Sequence, residues 1–461
     1  MALLLHYTGQ DYISRGLLNT ELTPGSTSAI VGGCKTGKGF AFDGTVNSML
    51  SSQLDEERTI HSFSVWFKII DIYSTRCIVS FGEDKFLQFM LWQRTNGQFV
   101  FGYCKADGTQ INIILNSDLP RGIWYHFAGI INGLEIKLYL NGSLITTHTA
   151  ESIRKGSNKI LKLGEGTASS YMYGQICNFK YYNHVLSARE IAEDYKSLML
   201  HYKLDKPITT QVTDYSGFNR HITNLTTNTV TLDSKSQVYS ASLKNNGTQS
   251  LIGTSDLTDL NGLDEGSFSF RAFLTTNNLD YQYVIDNMTE LSSGDGIRVV
   301  YRGGGSVIAS FYGKRIEFNY RPTVNAWHHI VLVKTSTQIK VYADNVNIYT
   351  VSATTSSKNF SNITGISSKP YDNSYGVNGN VQDIRFYAKA LTQEDVTELY
   401  QTRHMVDKDS NCYTYELIEG QATVGMNKQG QLLCDEIIEN EDGVFQIVSN
   451  KTIKTKEFKE I

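Results

Sequence analysis

The sequence carries little charge and very little proline. Charged residues make up 19% of its 461 positions against 40% hydrophobic ones, which excludes a disordered chain and leaves a globular one long enough for two or three cores. The formal net charge is only −4, so nothing in the charge balance draws the chain to nucleic acid. No apolar run approaches the roughly 20 residues of a membrane span, and no membrane insertion is expected. The first residues, Met1-Ala2-Leu3-Leu4-Leu5-His6-Tyr7, lack the basic start and the length of an export signal. Their twin, Leu198-Met199-Leu200-His201-Tyr202, lies mid-chain, so both read as β-strands. The cysteines (Cys34, Cys77, Cys104, Cys177, Cys412, Cys434) form no C-x-x-C and no zinc-ligand spacing. They are expected reduced and buried, in a protein made in the cytosol, with no metal centre.

What remains is aromatic and glycine-rich. With 27 tyrosines, 21 phenylalanines and 38 glycines beside 5 prolines, the composition favours an all-β fold of short strands punctuated by glycine turns. One stretch is used twice. Trp124-Tyr125-His126-Phe127 leads through Asn132-Gly133 to Lys137-Leu138-Tyr139-Leu140-Asn141-Gly142, and Trp327-His328-His329-Ile330 leads to Lys340-Val341-Tyr342-Ala343-Asp344-Asn345. Each reads as an antiparallel hairpin with period-2 alternation. Trp124 to Trp327 and Tyr139 to Tyr342 both span 203 positions, while Phe63 to Phe268 and Gly174 to Gly379 span 205. A period that long is a duplicated domain, with small loop insertions between the copies. The alternating run Phe63–Ile69, the Asn96-Gly97 turn between Phe86–Arg94 and Phe99–Tyr103, and the closing strand Gln175–Tyr182 fill the first copy. Ser187 and Glu190 have capping-box spacing before a short helix carrying Ile191 and Tyr195, which recurs at Leu391–Tyr400.

The motifs F-x-G after a strand, F-S-x-W-F, W-x-H, L-Y-L-N-G and G-x-I-x-N-F-x-x-Y-x-x-x-L-S-x-x-E-I together resemble the LamG-like jelly roll of the concanavalin A-like lectin/glucanase superfamily. The resemblance implies two tandem jelly-roll β-sandwiches, residues 1–197 and 198–403, followed by a small C-terminal β segment, 404–461. The second copy departs from the first with Asp344-Asn345 for Asn141-Gly142 and Asn245 for Phe42. In the last segment, residues 430–439 and 452–460 echo each other 21 positions apart, each as a short alternating strand with too little apolar surface to fold alone. This tail resembles those of bacteriophage fibre and appendage proteins. Its apolar positions Leu432, Cys434, Ile437, Ile453 and Phe458 are the candidates for oligomerisation or attachment. A trimer is expected, because short alternating strands complete one another across a threefold axis.

Hydrolysis of a glycosidic bond needs two carboxylates flanking it. The glucanase relatives imply E-x-D-x-E or E-x-D-x-x-E on one strand, and no such strand is present; Asp55-Glu56-Glu57 and Glu83-Asp84 read as surface acids. No catalytic residue is assigned. Trp124 and Trp327 are expected as core anchors, and His126, His328 and His329 as hydrogen-bonded structural groups. Surface aromatics are the better candidates for sugar contact. On Phe86–Arg94, Leu87, Phe89 and Leu91 share one face, leaving Met90, Trp92 and Arg94 on the other, read as outward. Tyr171 and Tyr173 in one domain, and Tyr371, Asn373 and Tyr375 in the other, lie in loops before the last strand, where an aromatic plate beside hydrogen-bonding groups suits a glycan. No cofactor is expected. Structural calcium stays open: Asp84, Asp107 and Asp372 lie in loops, but no motif supplies about six oxygen ligands.

These features point to a non-enzymatic virion protein of a bacteriophage, a head or tail fibre or decoration appendage. Its partners would be other virion proteins, copies of itself, and a cell-surface or environmental glycan. A carbohydrate-active enzyme or its binding module is the alternative, and a decoration protein without a ligand a third reading.

Overall fold

A computed structural model describes residues 3–401 apart from 19, 28, 47–49, 54–59, 72–73, 84–85, 117–118, 155–159, 167–169, 240, 280, 289–295, 358–359 and 371–374, together with the backbone of six short strands between Arg403 and Ile447. The chain builds two β-sandwiches of one topology. In the first, a helix-side sheet runs Ser143–Thr149, Glu135–Leu140, Tyr125–Asn132, Ile60–Ile69, Tyr173–Tyr182, Gly37–Asp43, Ala29–Cys34. The open sheet facing it runs Gln110–Asn116, Phe99–Cys104, Phe86–Gln93, Arg76–Glu83, Ile160–Leu163, Leu50–Gln53, Thr23–Pro24. The second domain repeats both orders, with Gly266–Leu274, Trp327–Lys334 and Asn378–Tyr387 central in its helix-side sheet and Gln282–Met288, Arg298–Arg302 and Ser306–Phe311 in its open sheet.

Alternation decides which side chains meet between the sheets. Phe63, Val65, Phe67 and Ile69 enter the first core, and Phe268, Phe270, Ala272 and Leu274 the second. The duplicated hairpins pair as expected, Asn132 opposite Glu135 around Gly133, which has φ +58°. Asn141 and Asp344 differ in sequence and do one job. Both sit in the left-handed region, and both accept the N–H of the histidine across the hairpin, His126 at 3.0 Å and His329 at 2.8 Å. Asn245, in the place of Phe42, is buried and donates to the Gln249 and Ser367 carbonyls.

The two tryptophans that open the hairpins are not core anchors. Parity places Tyr125 and Phe127 inward, so Trp124 lies on the other face against Val31, Trp66 and Tyr195, with the Lys68 ammonium 5.0 Å from its ring. Trp327 is likewise half-buried, edge-on to Phe273.

Each helix closes its domain over the helix-side sheet. The first, α1 (Ala188–Lys196), has the Ser187/Glu190 capping box. The second, α2 (Gln393–Gln401), is capped by Thr392, whose hydroxyl accepts the Asp395 N–H while Asp395 accepts that of Thr392. The domains touch directly. Lys196, 2% exposed, lies among Glu193 and, from the second domain, Asp395 and Glu398. Burial opposes its charge, but Glu193 and Glu398 hold the ammonium above the ordinary lysine range. Lys35 pairs with Glu265, and the His6 ring packs edge-on to Phe218 at 5.5 Å.

Beyond Arg403 the backbone forms three two-stranded ladders: Arg403–Val406 with Cys412–Tyr415, Gly425–Met426 with Leu432–Leu433, and Ile437–Glu439 with Phe445–Ile447. Leu432–Leu433 and Ile437–Glu439 therefore belong to two separate pairings. Cys434, Ile453 and Phe458 lie outside the described residues.

Candidate functional site

Two polar assemblies invite a chemical reading. The first lies beneath the helices. In domain 1, Asp194 of α1 reaches down to Lys180, Ser64 and His126, the last at 3.2 Å. Burial raises its carboxyl pKa, but the Lys180 charge and the His126 contact outweigh that and hold it well below the ordinary range. In domain 2 the helix position of Asp194 is Leu399, and the acid has moved to the sheet. Asp383, in the place of Asn178, takes His201 at 3.0 Å, Arg385 at 2.7 Å and Tyr239 at 3.1 Å. Its neighbour Arg271 donates to the Leu399 carbonyl at 2.6 Å. Beneath its helix each domain thus buries an acid with its cations, as a charge removed from water requires. His126 and His329 are structural as expected; His329 meets Ser269 at 2.8 Å. Apart from the part-exposed Lys180 and Arg385, these groups are buried, so the arrangement serves to hold α1 and α2 in place.

The second assembly lies on the outer face of the open sheet, and the duplication lets the two copies be compared position by position. In domain 1, Trp92 stands between Cys77 and Val100. In domain 2 the same row reads Tyr283, Val300, Ile308. Trp92 does not face water. It is 4% exposed, lies over Gly102, and clusters with Cys77, Met90 and Val100. A side chain at Gly166 would collide with Met90, Ser170 and Cys77, so the loop before the last strand closes on this face. The outward placement of Trp92 and Met90 is therefore corrected: period 2 put them on the right face, and a distant loop covers it. Arg94 caps the Asn96-Gly97 hairpin, donating to Gln98 Oε1 at 2.9 Å. Tyr171 gives its carbonyl to Arg76 at 3.2 Å, and Tyr173 lies 5.7 Å from the Arg76 guanidinium, which is paired to Asp71. Both tyrosines are part-buried packing groups.

Domain 2 is different. Its row is buried as well, with Val300 2% exposed, but exposed aromatic rings stand at its edge. Tyr375, in the equivalent loop, is 43% exposed and has φ +62°; Tyr281 is 37% exposed. Their centroids are 5.8 Å apart, edge to face, and the buried Tyr283 lies 6.4 Å from Tyr375. A 2.7 Å hydrogen bond from the Tyr283 N–H to the Tyr375 carbonyl fixes the loop to the sheet. A cation stands by each ring: Arg302 by Tyr281 (5.8 Å), Arg298 by Tyr283 (5.6 Å), Lys369 by Tyr375 (5.5 Å). Arg298 is spent on the buried Asp286, with contacts of 3.0 and 2.8 Å; burial raises that carboxyl despite the arginine. Next along the face, Glu317 accepts from Arg302 at 2.7 Å and Ser306 at 3.0 Å; the Ser306 contact and then the arginine lower its pKa.

Of the sequence-derived candidates, Tyr375 is thus on an exposed surface. Tyr371, Asn373 and Asp372 lie outside the described residues, as does Asp84; Asp107 is an exposed turn acid accepting the Thr109 N–H at 2.8 Å. Among the described residues no cluster of histidine, cysteine or acids could hold a metal ion. Cys34, Cys77, Cys104 and Cys177 are buried free thiols. Tyr281, Tyr283 and Arg302 escaped the sequence reading. The signal was there in the duplication: Arg302 follows Val300 by two, as Arg94 follows Trp92.

No curated protein matches the chain in sequence. Among solved structures it is similar to domain 4 of AbnA, a GH43 extracellular arabinanase from Geobacillus stearothermophilus in complex with arabinotriose: 19% identity, 42% of this chain and 98% of that one, TM-score 0.35. It is also similar to the binding domain of Paraclostridial Mosquitocidal Protein 1, at 12% identity over 92% of this chain and 99% of that one, TM-score 0.39. A third is the receptor binding domain of botulinum neurotoxin type G, at 10% identity, 97% and 92% coverage and TM-score 0.36. The family model described as "Concanavalin A-like lectin/glucanases superfamily" matches residues 23–192 and again 245–397, well over half the chain. With two copies of its sandwich and two copies of its sequence pattern, the chain belongs to the concanavalin A-like lectin/glucanase superfamily.

Proposed function

We propose that this is a non-enzymatic carbohydrate-binding protein in which the second domain makes the sugar contact and the first serves as scaffold. The carrying observation is the contrast between the two open sheets. One is filled by Trp92 and closed by its loop, while the other presents Tyr281 and Tyr375 beside polar side chains. Exposed tyrosine rings offer an apolar plate of low conformational entropy for the C–H face of a sugar, and the neighbouring donors and acceptors take its hydroxyls. The test is a glycan array probed with the full chain, repeated with Tyr281→Ala and Tyr375→Ala. Hits lost in these variants are expected; hits that persist in both, or hydrolysis of a polysaccharide that stops on replacing one acid, would overturn the assignment.

The tail supports a finer reading. Residues 404–461, with their 21-residue echo and short ladders, would join the lectin-like pair to a bacteriophage particle as a trimeric appendage. Mass spectrometry of purified particles should find the chain in fixed stoichiometry. A chain ending at Arg403 should lose both particle attachment and oligomerisation; normal assembly of that chain would refute the role of the tail.

A further inference from the structure

The surface on domain 2 has a charge as well as an aromatic plate. Along its outer face the cross-strand rows run Arg302–Ser306–Asn319, then Val300–Ile308–Glu317, then Arg298–Ser310–Arg315. Arg298 is neutralised by Asp286 and buried with it. The remaining guanidiniums share one carboxylate: Arg302 holds Glu317 Oε1 at 2.7 Å, and Arg315 stands 3.7 Å from Glu317 Oε2. Among the described residues, two cations to one acid leave a positive surplus at the rim of the tyrosine pair. Arg302 is the better placed of the two, because its guanidinium also lies by the Tyr281 ring. Its side chain is 39% exposed. Among the described residues Glu317 is the one hydrogen-bond partner of its guanidinium, so further donors of the five-donor fork stay open to a ligand beside an aromatic plate. A planar fork of that kind matches a carboxylate or sulfate in bidentate geometry, where a neutral hydroxyl would use a fraction of it. The flanking triglycine, Gly303–Gly305, puts little side chain in the way; a Cβ on Gly304 would meet nothing within 4 Å.

We propose that the ligand of this surface is an acidic saccharide, its ring packed on Tyr281 and its oxyanion held by Arg302. This rests on the glycan-binding assignment above and adds the chemical class. The oxyanion has two natural sources, a carboxylate of a uronic or related acidic sugar and a sulfate ester, and the tyrosine plate is indifferent to which.

The experiment is titration calorimetry on the full chain with three probes: trigalacturonate, its methyl ester, and a sulfated galactose trisaccharide. The ester keeps the ring and removes the charge. Acidic probes should bind more tightly than the ester, and more weakly as salt is raised. Arg302→Gln should weaken acidic probes by about ten-fold or more, the scale of one charged hydrogen bond, and leave the ester unchanged. Arg302→Lys should recover part of the loss. Trigalacturonate alone bound would identify a carboxylate ligand, and the sulfated probe alone a sulfate. Neutral glycans bound as well as acidic ones, lost with Tyr281→Ala and indifferent to Arg302→Gln, would overturn the acidic class while leaving sugar binding intact. No binding of any probe, with no hit on the array, would overturn both.

Discussion

Acid should unfold this protein through its histidines before it reaches its carboxylates, and His6 isolates the effect. The ring is buried and donates from Nε2 to Asn178 Oδ1 at 2.7 Å. Burial, and then the nearby Lys180 charge, push its pKa down to about 3. An unfolded histidine titrates near 6.5, so between those values the unfolded chain binds a proton that the folded one refuses. The depressed group therefore contributes its full stability above about pH 6.5 and loses it as the pH falls toward about 3. From pH 7 to 4.5 the loss for one such group is roughly 2–3 kcal/mol, at about 1.4 kcal/mol per pH unit. His201 and His329 are depressed by burial too and add in the same direction. His328, raised by Asp344 against its burial, works the other way. Because the acids Asp194 and Asp383 are held below the ordinary carboxylate range, their contribution goes only at lower pH. The perturbation is His6→Gln, whose amide can still donate to Asn178. Urea unfolding followed by tryptophan fluorescence reports chiefly on domain 1, which holds Trp66, Trp92 and Trp124 of the chain's 4 tryptophans. At pH 7 the variant should be within about 1 kcal/mol of the parent, and at pH 4.5 it should have lost roughly 2–3 kcal/mol less. Equal acid losses in the two proteins, or a His6 ring titrating near 6.5 by NMR, would refute the reasoning.

Other perturbations separate scaffold from site. Asp194→Asn strands the Lys180 charge beneath α1 and should cost about 3–5 kcal/mol in chemical denaturation; a cost under about 1 would mean that the buried acid is dispensable. Trp92→Ala empties a packed row and should cost about 3–5 kcal/mol with glycan affinity unchanged, whereas Tyr375→Ala should do the reverse, with stability moving by less than about 1 kcal/mol. Lys196→Met removes the cation that links α1 to Asp395 and Glu398; calorimetry should then resolve two unfolding transitions where the parent shows one, and a single unshifted transition would deny the interface that role.

The strong strands were legible in sequence because large apolar side chains recur at every second position to fill the core, although most of their other face is buried too. Phe63–Ile69, the two hairpins and Gln175–Tyr182 all appear in the sheets, and the Ser187 capping box opens α1. The edge strands were not. Ser143–Thr149 and Thr223–Asn228 are mostly polar, with no apolar side chain at every second position, so no period marks them, and pairing with a neighbour is what makes them strands. Trp124 and Trp327 were misplaced for a related reason: large aromatics favour interiors, but parity along a strand outranks that preference, and Tyr125 already held the inward phase. The partial success at the site has the same origin. Tyr375 was found in a Tyr/Asn-rich loop; Tyr281 and Arg302 had no local mark and matter through the ring they share space with.

By itself the sequence determined a duplicated all-β chain and which residues share a face of each strand, since alternation is imposed by the backbone between adjacent residues. Tertiary structure alone decided which of the outward faces meets water. That depends on how loops distant in sequence pack: the one at Gly166 presses on Met90 and Cys77 in domain 1, while the one at Tyr375 leaves its ring and that of Tyr281 exposed in domain 2.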